Sequence, residues 1–394
     1  MAMLLFRSTY VRPLWLVLLL ASLSNAPAEP SRRLSEAETI AALKAELAKE
    51  AGEGRFSGAV MVAKAGKPVF QAAYGYADRE KKIPNTVDTK FRFGSMGKMF
   101  TGTAVLQLVQ AGKIKLDDPI AKYLPSYPNK EVAAVTIHQL LTHTGGTGDI
   151  FGPEFDTHRT ELKELSDYVS LYGNRGLEFK PGSRWEYSNY GYLLLGRIIE
   201  ATTCQSYYDY VRDHIFKVAG MASTGNLPED QYLPDRSVGY TRGGPRVLLP
   251  PPGAGPGDRA PAPAPPGTGP LRSNLDTLPY RGTSAGGGYS TVEDLLKFVN
   301  ALTSGSLLDT HYTNLLTTGK VNTPRPGTKY AYGFEEVIEP DGVRQFGHGG
   351  GAPGMNGRLS VFPESGYVVV ALANLDPPGA DNVARFTGDR LPAR

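Results

Sequence analysis

The sequence has a single cysteine, Cys204, among its 394 residues. A chain with one cysteine cannot form an internal disulfide, so its stability must come from a buried core and not from covalent cross-links. We interpret Cys204 as a small, buried apolar side chain and not as a nucleophile. The small disulfide-rich class of exported domains is therefore excluded.

Strong charge of either sign is also missing. The chain has 42 Lys and Arg residues against 39 Asp and Glu residues, a formal net charge of +3. This balance excludes the strongly basic surface expected of a nucleic-acid-binding or lipid-binding protein. The six histidines form no H-E-x-x-H motif and no cluster with cysteine, so we predict no metal site and no cofactor.

Long hydrophobic runs are absent, apart from a short one near the start. Residues 14–21 form this apolar run, which follows Arg7 and Arg12 and precedes an A-P-A tripeptide at residues 26–28. The pattern predicts a secretory signal peptide over residues 1–28, because a membrane-spanning helix, the alternative, needs roughly 20 apolar residues. We expect an exported protein, periplasmic or extracellular, with no stable membrane anchor after signal removal.

Hydrophobic periodicity separates strands near the two ends of the chain from helices between them. The predicted helices cover residues 35–52, 95–110, 136–141, 160–171, 190–203, 291–302 and 382–391, and the predicted strands cover two runs within 56–78 and the runs 331–338, 358–363 and 367–373. This order predicts an α+β fold, in which the N- and C-terminal segments form one mostly antiparallel sheet flanked by helices, with an inserted helical lobe.

A segment dense in proline and glycine interrupts this pattern at residues 243–280, where P-P-P-G-A-G-P-G and A-P-A-P-A-P-P-G-T-G-P occur. We interpret it as a long surface loop, since the strands that follow are needed to complete the sheet; an interdomain linker is the alternative. The predicted organisation is a signal peptide at 1–28 and one domain at 29–394, with a sheet lobe at about 35–92 and 281–394 and a helical lobe at about 93–242.

A serine and a lysine three residues apart stand at the start of one predicted helix, in F-R-F-G-S-M-G-K-M-F. Positions i and i+3 share a helix face, so the Lys98 amine can take the proton of the Ser95 hydroxyl when the serine attacks a carbonyl. Burial and the positive end of the helix would both lower the pKa of Lys98. The motif is common by chance, and a helix-capping Ser95 beside a solvated lysine is the alternative.

Two later blocks carry further polar and glycine residues. In W-E-Y-S-N-Y-G, the Tyr187 phenol both donates and accepts and can relay a proton, and the Asn189 amide can hold a substrate carbonyl. In Q-F-G-H-G-G-G-A-P-G, glycines beside a strand let a substrate approach closely, and a backbone N–H can complete an oxyanion hole with that of Ser95. The G-x-G-x-x-G spacing precedes a strand instead of opening a helix, so we discount a dinucleotide site.

In this order, the S-x-x-K, Y-S-N and H-G-G blocks resemble those of the serine β-lactamase and penicillin-binding D,D-peptidase superfamily. The likeness is greatest to its class C-like branch of esterases, D-aminopeptidases and β-lactamases. The runs L-L-T-H-T-G-G and S-A-G-G-G-Y-S-T-V-E-D-L also look like family signatures, and the similarity covers about residues 56–374. The resemblance implies a β-lactamase/transpeptidase-like fold and acyl transfer on a small-molecule ester, amide or peptide.

The resemblance also implies a role for each motif residue. Ser95 would be the nucleophile, Lys98 the base and Tyr187 the proton relay. The backbone N–H groups of Ser95 and Gly351 would form the oxyanion hole. The residues that would bind substrate are Asn189, His348, Gly349, Gly350 and Gly351.

One departure from the family pattern bears on the substrate. Many relatives have K-T-G where this chain has His348-Gly349-Gly350. A histidine with an ordinary pKa near 6.5 is mostly neutral at pH 7, so it lacks the fixed cation that anchors a substrate carboxylate. We expect weaker carboxylate recognition, unless Arg358 or another cation substitutes, and simple esters or neutral amides as better substrates than penicillins.

Other hypotheses remain open on the sequence alone. A G-x-S-x-G run around Ser284 and the H-G-G-G run at residues 348–351 are typical of α/β-hydrolases. Their order is reversed, because in that fold the H-G-G-G loop precedes the nucleophile. Within the resembled superfamily, the alternatives are a penicillin-binding D,D-carboxypeptidase and a cell-wall sensor that is acylated without turnover.

Overall fold

The computed structural model describes residues 33–243 and 269–394. The predicted signal peptide at 1–28 and most of the proline- and glycine-rich segment lie outside the described residues. Within them, the helices are α1 (Glu36–Gly52), α2 (Gly97–Gln110), α3 (Ile120–Tyr123), α4 (Lys130–Ala133), α5 (Ile137–Leu141), α6 (Pro153–His158), α7 (Leu165–Tyr172), α8 (Asn189–Thr203), α9 (Tyr207–Val211), α10 (Lys217–Ala219), α11 (Val292–Thr303), α12 (Thr310–Thr317) and α13 (Gly379–Gly388). None of these described helices is both long enough and apolar enough to cross a bilayer.

The strands in the same residues form one large sheet and several short pairs. They are β1 (Gly58–Lys64), β2 (Lys67–Tyr74), β3 (Tyr76–Asp78), β4 (Ile83–Pro84), β5 (Phe91–Arg92), β6 (Tyr240–Thr241), β7 (Arg272–Ser273), β8 (Tyr289–Ser290), β9 (Val321–Asn322), β10 (Thr328–Tyr330), β11 (Glu335–Ile338), β12 (Arg344–Ala352), β13 (Met355–Phe362) and β14 (Tyr367–Ala373). Short 3₁₀ turns cover Gly94–Met96 and Leu275–Thr277.

The large sheet has eight strands in the order β2-β1-β14-β13-β12-β11-β10-β9, and every neighbouring pair is antiparallel. Strand β1, from the start of the chain, lies beside β14, from its end, with Val60 opposite Ala371. The helices α2 to α10 are inserted between β5 and β6 in the sequence. The predicted α+β fold is confirmed.

The central strands are buried on both faces, which explains their unbroken apolar sequences. Alternate side chains of a strand point to opposite faces of a sheet. In β1, Ala59 and Met61 join the large core that includes residues of α2, α8 and α11. Val60 and Val62 pack instead with residues of α1 and α13, on the other face. One strand therefore contributes to both hydrophobic cores.

Helix α1 begins where its sequence predicts. The Ser35 hydroxyl accepts the backbone N–H of Glu38, and the Glu38 carboxylate accepts the N–H of Ser35. This reciprocal capping satisfies two backbone donors that a helix start otherwise leaves unpaired. Leu43 and Leu47 lie one turn apart, on the same helix face, and both are fully buried against the sheet.

Several predicted elements have different bounds in the structure. The helix predicted at 160–171 begins at Leu165. The Asp167 carboxylate accepts the backbone N–H groups of Lys163 and Glu164 and so caps the helix there. The short α6 before it was not predicted. Of the strand predicted at 331–338, only residues 335–338 form one, as β11, because residues 331–334 make the turn from β10, with Gly333 at a φ of +80° that favours glycine. The last helix also begins earlier, at the start of α13.

The glycine-rich run Q-F-G-H-G-G-G-A lies within a strand, whereas the sequence analysis placed it before one. Strand β12 contains it and pairs with β11 on one side and β13 on the other. A Cβ on Gly347 would lie 1.9 Å from the carbonyl oxygen of Leu359, so the chains could not approach as they do with another residue there. Glycine has little intrinsic preference for strands, which is why the sequence did not predict this one.

The prediction of a buried Cys204 is wrong. Cys204 follows the last residue of α8 and is exposed. Its φ of +55° turns the chain out of the helix at this point. A residue at such a helix end lies beyond the face that packs into the core.

We expect Leu43→Ala to reduce the free energy of unfolding by about 2–5 kcal/mol, because it leaves a cavity between α1 and the sheet. Denaturant unfolding followed by circular dichroism measures the change. Leu275→Ala is the matched control: Leu275 is 61% exposed, and its removal should change stability by less than about 0.5 kcal/mol. Equal losses in the two variants would contradict the assignment of Leu43 to the core.

Candidate active site

Ser95 lies on the 3₁₀ turn that leads into α2, and not inside the α-helix as predicted. Lys98 stands in the first turn of that helix. Because the 3₁₀ turn continues directly into α2, the two side chains remain on one side of the chain. The Lys98 Nζ lies 3.3 Å from the Ser95 Oγ.

The turn that carries Ser95 packs directly against strand β12, and glycines make this approach possible. A Cβ on Gly350 would lie 1.9 Å from the carbonyl oxygen of Phe93 and 3.0 Å from the backbone nitrogen of Ser95. Gly94, on the opposing turn, has a φ of +54°, and a Cβ there would lie 3.0 Å from the Gly351 nitrogen. Ser95 and Gly351 both line the same cleft.

Lys98 is fully buried, and its amine has two carbonyl acceptors besides the serine. Its Nζ lies 2.7 Å from the Asn189 Oδ1 and 2.6 Å from the carbonyl oxygen of Ala285. A neutral amine has two N–H groups and one lone pair, so the two carbonyl oxygens accept both N–H groups. The lone pair is then left for the hydroxyl proton of Ser95.

The protonation state of Lys98 follows from this burial. Removal from water lowers the pKa of Lys98 to about 7, and the negative charge of Asp149 partly opposes the fall. A substantial fraction of the amine is therefore neutral near pH 7. Nearby, burial raises the pKa of the Tyr187 phenol well above the usual value, and the Ser95 hydroxyl beside it partly opposes this rise. The phenol is thus protonated at neutral pH and can donate a proton.

Asn189, the first residue of α8, connects the amine to a carboxylate that the sequence analysis did not identify. Its Oδ1 faces Lys98, and its Nδ2 lies 3.0 Å from both carboxylate oxygens of Asp149. This pairing fixes which side of the amide faces the lysine. The signal for Asp149 in the sequence is an acidic residue three positions after the end of the L-L-T-H-T-G-G block.

A buried aromatic cluster forms the wall of the site beside Tyr187. Its centre is His143, which lies in the L-L-T-H-T-G-G block but was not predicted as a site residue. Its ring centroid is 4.3 Å from that of Tyr187 and 4.4 Å from that of Tyr330. The Tyr330 hydroxyl also lies 3.0 Å from the Nε2 of His348, which connects this wall to β12.

His348 and Arg358 do not supply a cation to the cleft. Burial lowers the pKa of His348 to about 4, so the imidazole is neutral at pH 7. Arg358 pairs with Glu335 at 2.6 Å. A Cβ on Gly349 would point toward the Arg358 guanidinium, whereas one on Gly350 would point toward the Ser95 turn. Successive strand residues face opposite sides, so Arg358 lies across β12 from Ser95 and does not substitute for the missing lysine.

The cleft beside Ser95 has a volume of about 300 Å³. Apolar side chains form much of its lining: Ile150, Phe151, Phe155, Leu278, Pro279 and Met355. Ser95, Asn189 and Gly351 line it as well. Among the described residues, no Lys, Arg, Asp or Glu side chain belongs to this lining. The cleft therefore fits an uncharged, largely apolar group next to the serine.

Comparison with known proteins identifies the family. The Beta-lactamase family profile matches residues 41–394. The chain belongs to the β-lactamase family. PbpX of Bacillus subtilis, a protein provisionally named as penicillin-binding, is 31% identical over 319 residues, which cover 80% of this chain and 70% of PbpX. Of another relative, protein flp of Staphylococcus aureus, the chain spans only 38%.

Solved structures of this family agree with the fold. A penicillin-binding protein from Bacillus halodurans has a TM-score of 0.73 at 30% identity, covering 86% of this chain and 97% of that one. A D-stereospecific amidohydrolase from Streptomyces has a TM-score of 0.68 at 27% identity, covering 88% and 96%. In general terms, this β-lactamase family member is a serine hydrolase of the acyl-transfer type.

The α/β-hydrolase interpretation is excluded by the sheet and by Ser284. That fold requires a nucleophile exposed after a strand of a mostly parallel sheet, whereas all neighbouring strands of this large sheet are antiparallel. Ser284 is fully buried, and a Cβ on Gly196 would lie 2.4 Å from its Oγ, so the hydroxyl packs against α8.

In the described part of the chain, no group of three or more His, Cys, Asp or Glu side chains could hold a metal ion.

We expect Gly350→Ala to lower kcat/KM for a 4-nitrophenyl ester by about 100-fold or more, because the added Cβ displaces the Ser95 turn and its backbone N–H. Steady-state kinetics measures the loss. Gly176→Ala is the matched control, since a Cβ at Gly176 would meet no atom within 4 Å. Wild-type turnover by Gly350→Ala would show that the close approach of β12 is not needed.

Proposed function

We propose that this protein hydrolyses uncharged esters or amides through an acyl intermediate on Ser95. The observation that carries the proposal is the environment of the Ser95 hydroxyl. This hydroxyl lies beside the buried Lys98 amine, whose pKa is about 7, and beside the Tyr187 phenol, which is protonated at neutral pH. These are the two groups that an acyl transfer needs, a base for the nucleophile and an acid for the leaving group.

In the acylation step, neutral Lys98 accepts the hydroxyl proton while the Ser95 oxygen bonds to the substrate carbonyl carbon. The developing oxyanion accepts hydrogen bonds from the backbone N–H groups of Ser95 and Gly351. The bond to the leaving group then breaks, and the leaving group takes its proton from the Tyr187 phenol. The Lys98 ammonium, 4.6 Å from the centroid of the Tyr187 ring, returns a proton to the phenolate.

Deacylation runs through the same groups. Water attacks the acyl carbonyl and gives a proton to Lys98, and the ester bond to Ser95 breaks. The departing serine oxygen takes this proton from the Lys98 ammonium, so the free enzyme is restored and the acid is released. No net charge is left on the protein after one turnover.

The electrostatics of the cleft support uncharged substrates. The cleft lining is largely apolar, His348 is neutral, and Arg358 is paired across the strand. A substrate carboxylate bound here would lose its water without gaining a cation, which is unfavourable. The amidohydrolase named above, similar over most of its length, supports the amide member of this substrate class.

A second candidate is a penicillin-binding D,D-carboxypeptidase or a cell-wall sensor that is acylated without turnover. The names of PbpX and the Bacillus halodurans protein favour it. The absence of a cation from the described cleft lining counts against it, because such substrates end in a carboxylate. Export through a signal peptide at residues 1–28 is part of both proposals.

The test compares Ser95→Ala with Ser284→Ala on a 4-nitrophenyl ester, a D-alanyl amide and a chromogenic cephalosporin. We expect Ser95→Ala to lose about 10³-fold or more in kcat/KM, and Ser284→Ala to retain turnover. The wild type should hydrolyse the ester far better than the cephalosporin. Comparable turnover of the two would contradict the substrate class, and a stable adduct without turnover would favour the sensor.

The pH dependence of kcat/KM tests the base. A protonated amine cannot accept the Ser95 proton, so activity should rise about tenfold per pH unit below neutrality and level off above about pH 7, the pKa of Lys98. The ester assay between about pH 5 and 9 measures this, with unfolding monitored at each pH. A profile that is flat through this acidic range would show that Lys98 is not the base.

A further inference from the structure

Both neighbours of Tyr187 in the chain are hydrogen-bonded to one buried residue, His143. The carbonyl oxygen of His143 accepts the backbone N–H of Glu186 at 3.0 Å. The Nδ1 of its ring accepts the backbone N–H of Ser188 at 3.1 Å. A single residue therefore holds the backbone on either side of the phenol that faces Ser95.

The ring of His143 also packs against the Tyr187 ring itself. The two rings are 4.3 Å apart between centroids, with an angle of 35° between their planes. The imidazole cannot move away, because other aromatic rings surround it. The centroid distances are 4.4 Å to Tyr330, 5.0 Å to Tyr192 and 6.1 Å to Trp185.

The backbone of His143 has a left-handed conformation, which residues other than glycine adopt less often. Its φ is +58°, directly after the C-terminal residues of α5. The flanking Thr144 N–H donates to the carbonyl oxygen of Gln139 at 2.9 Å, which holds the turn closed. This hydrogen-bond pattern around a left-handed residue is a common way to end an α-helix, so the turn that carries His143 is fixed by α5.

His143 is not placed to act as an acid or a base. Because its Nδ1 accepts an N–H group, the neutral ring carries its proton on Nε2. This Nε2 is buried and has no hydrogen-bond partner among the described residues. Burial, together with the nearby Lys98 and His348, lowers the pKa of His143 well below its usual value. The ring therefore stays neutral, and its role is mechanical.

We propose that His143 is a positioning residue that holds the Tyr187 phenol against Ser95, so that its contribution appears when the leaving group is protonated. This inference rests on the proposed function. It predicts a selective effect. An ester whose leaving group is a stable anion needs no proton from Tyr187, whereas an alkyl ester or an amide does. A general loss of structure would affect both kinds of substrate alike.

The test uses a 4-nitrophenyl ester and an alkyl ester of the same acid. His143→Phe keeps a ring but loses the acceptor at Nδ1. His143→Asn loses the ring but carries an amide oxygen near the position of Nδ1, and asparagine tolerates a positive φ. We expect His143→Phe to lower kcat/KM for the alkyl ester at least about tenfold more than for the 4-nitrophenyl ester. His143→Asn should retain most of the alkyl-ester activity that His143→Phe loses.

Two controls separate positioning from packing. His138→Phe removes a second histidine, which is only partly buried and whose Nδ1 lies 2.8 Å from the Tyr332 hydroxyl, and it should affect both esters equally. In a Tyr187→Phe background, His143→Phe should add no further selectivity, because the group it positions is gone. His143→Leu accompanies His143→Phe in case the larger ring does not fit, and thermal melting checks that each variant is folded.

An equal loss on both esters in a folded acceptor-free variant, or no loss at all, would overturn the assignment of His143. So would additional selectivity from His143→Phe when Tyr187 is already absent. These outcomes leave the proposed function intact if Ser95→Ala still abolishes turnover of the 4-nitrophenyl ester. Turnover that does not depend on Ser95 would overturn both proposals together.

Discussion

Burial of one lysine amine, which has no direct ion pair with any described residue, is the constraint on which the rest of the site depends. A buried ammonium with no counterion is costly, and the protein relieves this cost by neutralising the amine near pH 7. Two carbonyl oxygens, from Asn189 and Ala285, accept its N–H groups. These acceptors come from the start of α8 and from a loop nearly two hundred residues away in sequence from Lys98. The neutral amine is therefore a product of the whole tertiary structure.

The sheet and the helices each contribute one part of the site. Strand β12 contributes a glycine backbone that lies against the Ser95 turn, and the helical part contributes the amine, the phenol and the amide. The large hydrophobic core includes residues of the sheet and of the helices, and it holds the two parts together. Because the interior packs at high density, a methyl group added at Gly350 would clash with the Phe93 carbonyl oxygen. The fold therefore fixes the positions of these groups relative to one another.

The cleft has acceptors and apolar walls but no cation among its described lining residues. Neutral His348 occupies the place where many relatives have lysine, and its Nε2 lies next to the Tyr330 hydroxyl, within the aromatic wall. The nearby Asp149 carboxylate is occupied by the Asn189 amide. An aromatic wall centred on His143 thus lies beside His348 through the Tyr330 hydroxyl.

Local sequence determined the parts of this protein whose causes are local. The Ser95 and Lys98 pair follows from spacing along one turn, Ser35 begins α1 through contacts within four residues, and the apolar runs of β1 and β14 predict buried strands. Tertiary structure alone decided the strand character of the glycine run, the exposure of Cys204, the position of Arg358 across β12, and the contacts of Asp149 and His143 with the site. Each of these depends on which distant backbone or side chain comes within a few ångströms. A residue's own chemistry does not encode its distant neighbours, so only the folded chain reveals them.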